Sequence, residues 1–113
     1  MNDKNKADQG KIRPTLVPTQ IIREIAKTRN YGLMKYPETG RDGWREIGLE
    51  RIRDAAYRHF LAYLDDPTGL DEESGLSHLS HLATNIAFLC EMEANPKNVT
   101  DIEENPPSGY TFF

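Results

Sequence analysis

The run ESGLSHLSHLATN at positions 73–85 concentrates residues whose types and spacing suit chemistry. His78, His81 and Asn85 recur at i, i+3 and i+7, so a helix turning about 100° per residue carries all three on one side. Ser74 and Met92 extend that stripe. Leu76, Leu79, Leu82, Ala83, Ile86, Ala87 and Cys90 fall on a different side. Two imidazoles and an amide set off from the apolar stripe, behind the acidic cluster Asp71–Glu72–Glu73, describe the wall of a site. The third histidine, His59, sits in the preceding helical segment. Imidazole titrates near neutral pH, so these rings can orient a water or accept its proton. Zinc is poorly matched: the common helical zinc pair is i, i+4, and Cys90 lies on the apolar side. Carboxylate, amide and imidazole groups together suit a hard divalent cation holding phosphates. The plainer alternative is a pair of surface histidines bonded to neighbouring carbonyls.

Cations that could meet an anionic ligand lie elsewhere. Asp8-x-Gly10-Lys11-x-Arg13 places two of them beside a glycine, with Lys11 as a point charge and Arg13 as a fork. The segment lacks the first glycine and the Lys-Ser/Thr pair of a Walker loop. Lys35-Tyr36 and Gly43-Trp44 bracket a central loop, where Trp44 either stacks on a base or plugs the end of the core. No Ser–His–Asp signature and no activated cysteine supports covalent catalysis.

These groups need helices to position them. Prolines at 14 and 18 forbid regular helix before Pro18, so Thr15-Leu16-Val17 is expected to be extended and the first helix to begin near Pro18. Ile21, Ile22, Ile25 and Ala26 form its stripe, and Asn30-Tyr31-Gly32 is expected to break or kink it. A Gly- and Pro-rich loop covers 37–48. A second helix over 49–64 buries Leu49, Ile52, Ala56, Phe60 and Tyr63, and Asp65-Asp66-Pro67 ends it. His59 borders that side, while Arg58 points away with Arg51 and Asp54. A third helix is expected over 74–94, with Asp71, Glu72 and Glu73 at its N-terminal end, where carboxylates favour the helix dipole. No strand pattern or repeat emerges. The expected fold is all-α, a small bundle of three main helices forming one domain over 1–113, with 1–8 and 95–113 as flexible or docking arms.

Composition narrows the partners. At 113 residues the chain forms a modest core, and three amphipathic helices are expected to complete it by homo-oligomerisation, with Tyr110, Phe112 and Phe113 able to dock on a neighbour. A net charge of −4 argues against duplex nucleic acid, which needs a cationic surface, but leaves room for a nucleotide held by a local basic cluster. One cysteine, no signal-like segment and no apolar run near the roughly 20 residues of a membrane span make the expected location cytoplasmic, with no membrane partner.

Taken in order, DxGKxRxxLxP at 8–18, YGxxKY at 31–36, GW at 43–44, RDAAYRH at 53–59 and DEESGLSHLSHLATNIAFL at 71–89 resemble the phage dATP/dGTP diphosphohydrolase-like family, loosely grouped with the all-α, MazG-like nucleotide pyrophosphohydrolases. The resemblance implies a phage or prophage origin and a purine deoxynucleotide substrate. It also implies cleavage between the α- and β-phosphates with a divalent metal, expected to be Mg²⁺ with Mn²⁺ as the alternative. One departure stands out. MazG-like enzymes hold Mg²⁺ with carboxylates in an ExxE…ExxD pattern, and this chain reads His78-Leu-Ser-His81 where the second pair would fall. The expected assignment is His59, His78, His81 and Asn85 as catalytic groups and Asp71 and Glu73 as metal ligands. Lys11, Arg13, Lys35, Tyr36, Trp44 and Arg58 are the expected substrate-binding set. The missing carboxylate pattern equally suits a noncatalytic protein that sequesters a nucleotide, and a third reading is an interaction module with structural histidines.

Overall fold

In the computed structural model, which describes residues 9–95, the chain is carried by three helices: α1 (Gln20–Lys35), α2 (Leu49–Asp65) and α3 (His78–Ala94). Short 3-10 turns at Pro14–Leu16, Pro37–Thr39 and Gly43–Glu46 fill the connections. Among the described residues there is no strand, only an isolated antiparallel bridge between Leu70 and Ser77. The fold is all-α, as expected. No helix of the described residues is long and apolar enough to cross a membrane.

α2 follows its periodicity closely, starting at Leu49 after Gly48 and ending at Asp65 before Asp66-Pro67. The other boundaries differ from expectation. Pro14–Leu16 winds into a 3-10 turn instead of extending, and α1 starts at Gln20 behind Thr19. α1 then runs unbroken through Asn30-Tyr31-Gly32. A glycine in a helix costs about 1 kcal/mol, but the last turn is tied down from outside: Tyr31 donates to the Glu73 carbonyl and Lys35 pairs with the Glu73 carboxylate. α3 begins at His78, four residues later than expected, because Gly75 takes a positive φ of 73° and Ser77 caps the helix by accepting the Ser80 N–H. The acidic cluster therefore lies in the preceding loop, outside the first turn.

α3 is the middle element. It packs against both α2 and α1, which barely meet each other. Trp44 and Ile47 from the 3-10 region cover one side of this layer, joining Ile52, Phe88 and Met92 in the apolar core. The side that α3 turns inward is its polar stripe: Ser80, His81, Thr84 and Asn85 are buried with Phe88 and Met92. Its apolar stripe faces out, with Leu79 47% and Ile86 46% exposed. α2 is rotated in the same sense. It buries Ile52, Ala55, Ala56 and His59 and leaves Phe60, expected inside, 43% exposed. The small side chains of Ala55 and Ala56 let α3 approach, so an imidazole rather than a phenyl ring fills the contact. The 1–8 arm and the terminal aromatics Tyr110, Phe112 and Phe113 lie outside the described residues.

Candidate metal centre

Three chain segments deliver the histidines and a carboxylate to one place. His59 comes from the third turn of α2, His78 and His81 from the first turn of α3, and Asp71 from the loop between them. That loop is built to hold its carboxylate still. The Asp71 N–H donates to the Leu76 carbonyl at 2.7 Å and the Gly75 N–H donates to the Asp71 carbonyl at 2.8 Å. Asp71 Oδ2 in turn accepts the backbone N–H groups of Glu73 and Ser74 at 3.1 and 2.9 Å. Only a residue at ease with positive φ can close such a turn, which is the work of Gly75.

The rings meet closely. His59 Nδ1 and His78 Nδ1 stand 3.1 Å apart, and the His59 ring stacks on His81 with centroids 4.6 Å apart and planes 12° from parallel. One ligand atom each from His59, Asp71 and His78 lies within 4.8 Å of the others, so this trio forms a group that could hold a metal ion. The fit is chemical as well as spatial. Two imidazole nitrogens about 2.0–2.1 Å from one cation can lie this close when they are neighbours in its coordination shell. Two imidazoles and one carboxylate favour a first-row transition ion over Mg²⁺, which prefers oxygen ligands throughout.

Charge in the cluster is graded. Burial works to raise the Asp71 pKa, but the Ser74 backbone and hydroxyl hydrogen bonds and the neighbouring His81 and His59 outweigh it, leaving Asp71 below the usual carboxylate range. His81 is fully buried, and burial is the main reason its pKa falls to about 4; His59 and His78 push the same way while Asp71 opposes them. His81 is therefore neutral at pH 7, and its 3.8 Å approach to Asp71 Oδ2 is a dipolar contact instead of an ion pair. Ser74 Oγ sits 2.6 Å from His81 Nε2 and accepts the Leu76 N–H. Serine and carboxylate approach the same ring nitrogen, so the three do not form the relay that activates a nucleophilic serine, in which they use opposite nitrogens. One turn further along α3, the buried Asn85 Nδ2 has no hydrogen-bond partner among the described residues.

The remaining candidates separate into groups. Glu73 is drawn out of the cluster by its pairing with Lys35, whose ammonium also lies over the rings of Tyr31 and Tyr36. Lys11 and Arg13 are exposed on the segment before α1, and Arg58 is exposed on α2. Trp44 offers no face to a base: Phe88 stacks on it at 4.2 Å, nearly parallel, and the Arg45 guanidinium sits 4.4 Å from its ring centre. It is buried in the apolar core with Ile47, Ile52, Phe88 and Met92, away from the open loop position expected of a substrate-binding residue. Two contacts were not foreseen from residue spacing. Ser74 reaches His81 from the loop and not from the helix, and Ser80 donates to Glu24 Oε1 at 2.6 Å, clamping α1 onto α3. The D-x-x-S-G pattern, which favours a carboxylate-centred turn closed by glycine, was the available signal for the first.

The chain belongs to the family described as dATP/dGTP diphosphohydrolase, N-terminal, which it matches over residues 1–102. It is 36% identical over 84 residues to a protein of Salmonella phage PMBT28 named dATP/dGTP diphosphohydrolase, a match that spans 74% of this chain and 28% of that protein. The chain thus covers little more than a quarter of the length of the curated relative it matches. No solved structure matches it.

Proposed function

We propose that this chain is a metal-dependent nucleotide hydrolase domain that cleaves purine deoxynucleoside triphosphates, dATP and dGTP, between the α- and β-phosphates. The observation that carries the reading is the convergence of His59, Asp71 and His78, from three separate segments, within one metal-sized volume. Family membership and the printed name of the phage relative supply the substrate class. A divalent ion held there would neutralise phosphate charge and lower the pKa of an attacking water. Mn²⁺ fits the donor set better than Mg²⁺.

The chain's own groups have distinct tasks in this reading. His59 and His78 would hold such an ion through ring nitrogens. Asp71 supplies the negative charge, kept ionised by its N–H donors. His81 is a positioning residue: neutral, buried and held at Nε2 by Ser74, it gives the His59 ring a flat surface to rest on. Asn85 carries a spare donor. Lys11 and Arg13 close over the phosphates from the exposed segment, where electrostatic placement contributes most of the rate. Water attacks the α-phosphorus, the bond to the bridging oxygen breaks, and monophosphate and pyrophosphate leave with one proton released.

Pyrophosphate release from dATP, dGTP and their ribose counterparts, with Mn²⁺, Co²⁺ or Mg²⁺, tests the proposal. Turnover with Mn²⁺ that is lost in Asp71→Asn and His78→Ala supports it. Nucleotide that binds tightly and is recovered intact after denaturing the protein would replace it with sequestration, and neither binding nor turnover would remove the nucleotide altogether.

A further inference from the structure

Three arginines converge on one cavity of about 320 Å³ at the end of the layer away from the histidines. Arg29 comes from the second half of α1, and Arg41 and Arg45 from the connection between α1 and α2. Trp44 and Phe88, stacked on one another, line the same cavity. The Arg29 guanidinium lies 5.4 Å from the Phe88 ring centre and that of Arg45 4.4 Å from the Trp44 ring centre, so a cation rests on each ring. Arg29 also donates to the Arg41 carbonyl, which ties the connection to α1 beside the cavity. Two of the three guanidiniums are thus placed before any ligand arrives, and little side-chain freedom is left to lose on binding. Asp42 and Glu91 line the cavity too, but they meet its cations loosely. Arg45 stands 3.6 Å from the Asp42 carboxylate and 4.0 Å from that of Glu91, longer than the roughly 2.7–2.9 Å of a charge-assisted hydrogen bond. Glu91 Oε2 accepts the Asn95 side-chain amide at 3.1 Å instead. Three guanidiniums against two loosely placed carboxylates leave positive charge in excess at one concavity of a chain whose net charge is −4.

We propose that this cavity is a second anion site, separate from the histidine cluster, that takes a diphosphate unit. Its source is free pyrophosphate or the phosphate tail of a nucleotide. The planar fork of arginine matches phosphate oxygens two at a time, and three forks from separate points of the chain suit a ligand with several charged oxygens. The volume agrees, standing at the low end of the roughly 300–1,000 Å³ of small-ligand sites. Recognition is of phosphate and not of base, because Trp44 and Phe88 cover each other and carry the two guanidiniums. The site is also too far from the histidines to be the other end of the same phosphate group. His78 and Phe88 are ten residues apart on α3, which at 1.5 Å per residue is about 15 Å along the axis. A diphosphate held by the arginines does not span that distance to an ion held by His59, Asp71 and His78. Bound there, it joins α1, the connection after it and α3 through one ligand, and so stabilises the folded chain.

The test is calorimetric titration of inorganic pyrophosphate into the full chain, with EDTA present to keep divalent ions out. Turnover is not read, so the outcome is independent of the hydrolase reading. One pyrophosphate per chain is expected, with a raised melting temperature at saturation. Arg41→Ala and Arg45→Gln are each expected to weaken binding about tenfold or more, the loss of one charge-assisted contact. A triple variant, Lys11→Ala with Arg13→Ala and His78→Ala, is expected to bind as the parent chain does. Arg45→Gln takes a cation off the Trp44 ring, so circular dichroism checks its fold. Should it fail to fold, Arg41→Ala decides, because that side chain is exposed. Displacement of pyrophosphate by dATP, dGTP and ATP alike identifies the nucleotide tail as the source, and pyrophosphate that none of them displaces identifies the free diphosphate; either supports the site. No binding, binding indifferent to Arg41→Ala, or binding lost in the triple variant overturns the proposal.

Discussion

At the scale of single residues, the site depends on groups that keep others still. Ser74 serves Asp71 through its N–H and His81 through its hydroxyl, so Ser74→Ala removes a 2.6 Å contact at a fully buried ring. The expected loss is about 1–3 kcal/mol of stability in urea unfolding, the cost of leaving a buried polar atom poorly satisfied, together with weaker metal binding. Gly75 at φ 73° is a backbone requirement. Gly75→Ala is expected to cost about 1–2 kcal/mol and to weaken metal affinity further by shifting Asp71, which calorimetric metal titration would register. Lys11 and Arg13 have the opposite profile, exposed and outside the helices. Replacing both with Ala is expected to lower nucleotide affinity at least about a hundredfold, from roughly 1.5–3 kcal/mol per lost charge-assisted contact, with an unchanged melting temperature. Equal nucleotide affinity in the double variant would mean that this segment is no phosphate clamp.

At the scale of elements, helical periodicity carried the reading where a helix obeyed its own sequence. α2 lies within a residue of its expected end, and the i, i+3, i+7 spacing placed His78, His81 and Asn85 on one face correctly. It did not show which face turns inward. Apolarity along α3 points to Leu79, Leu82 and Ile86 as core, yet the side facing α1 and α2 is polar because Glu24, Asp71 and His59 wait there to receive it. Those partners come from 57, 10 and 22 residues earlier in the chain than His81, beyond any local pattern. Loop chemistry decided the rest, since Gly75 and Ser77 set the start of α3, and contacts with Glu73 held α1 straight across Gly32. The clamp between α1 and α3 has its own pH signature. Hydrogen bonds from Ser80, Gln20 and Lys27 lower the Glu24 pKa from 4.5 to about 2. A depressed carboxylate stabilises the fold above its unfolded value and loses that contribution as pH falls through its folded one. Stability should therefore decline between about pH 4.5 and 2, and Glu24→Gln should flatten that part of the curve. An unchanged slope in the variant would mean that Glu24 is not the group responsible.

At the scale of the molecule, one thin layer of helices combines an apolar core at one end with a polar cluster at the other. Trp44 anchors the apolar end against Phe88. Trp44→Ala is expected to cost about 3–5 kcal/mol, enough to threaten a small domain whose total stability is roughly 5–15 kcal/mol, while Trp44→Phe should retain most of the fold; chemical denaturation of the two variants measures the difference. The polar end is where the account stands or falls, because the proposed chemistry follows from His59, Asp71 and His78 sharing one ion. Pulsed electron paramagnetic resonance of bound Mn²⁺ reads the ligand atoms directly. The account predicts one ion per chain with nitrogen coupling from imidazole, reduced in His59→Ala and in His78→Ala. Bound Mn²⁺ with only oxygen ligands, unaffected by either substitution, would contradict it.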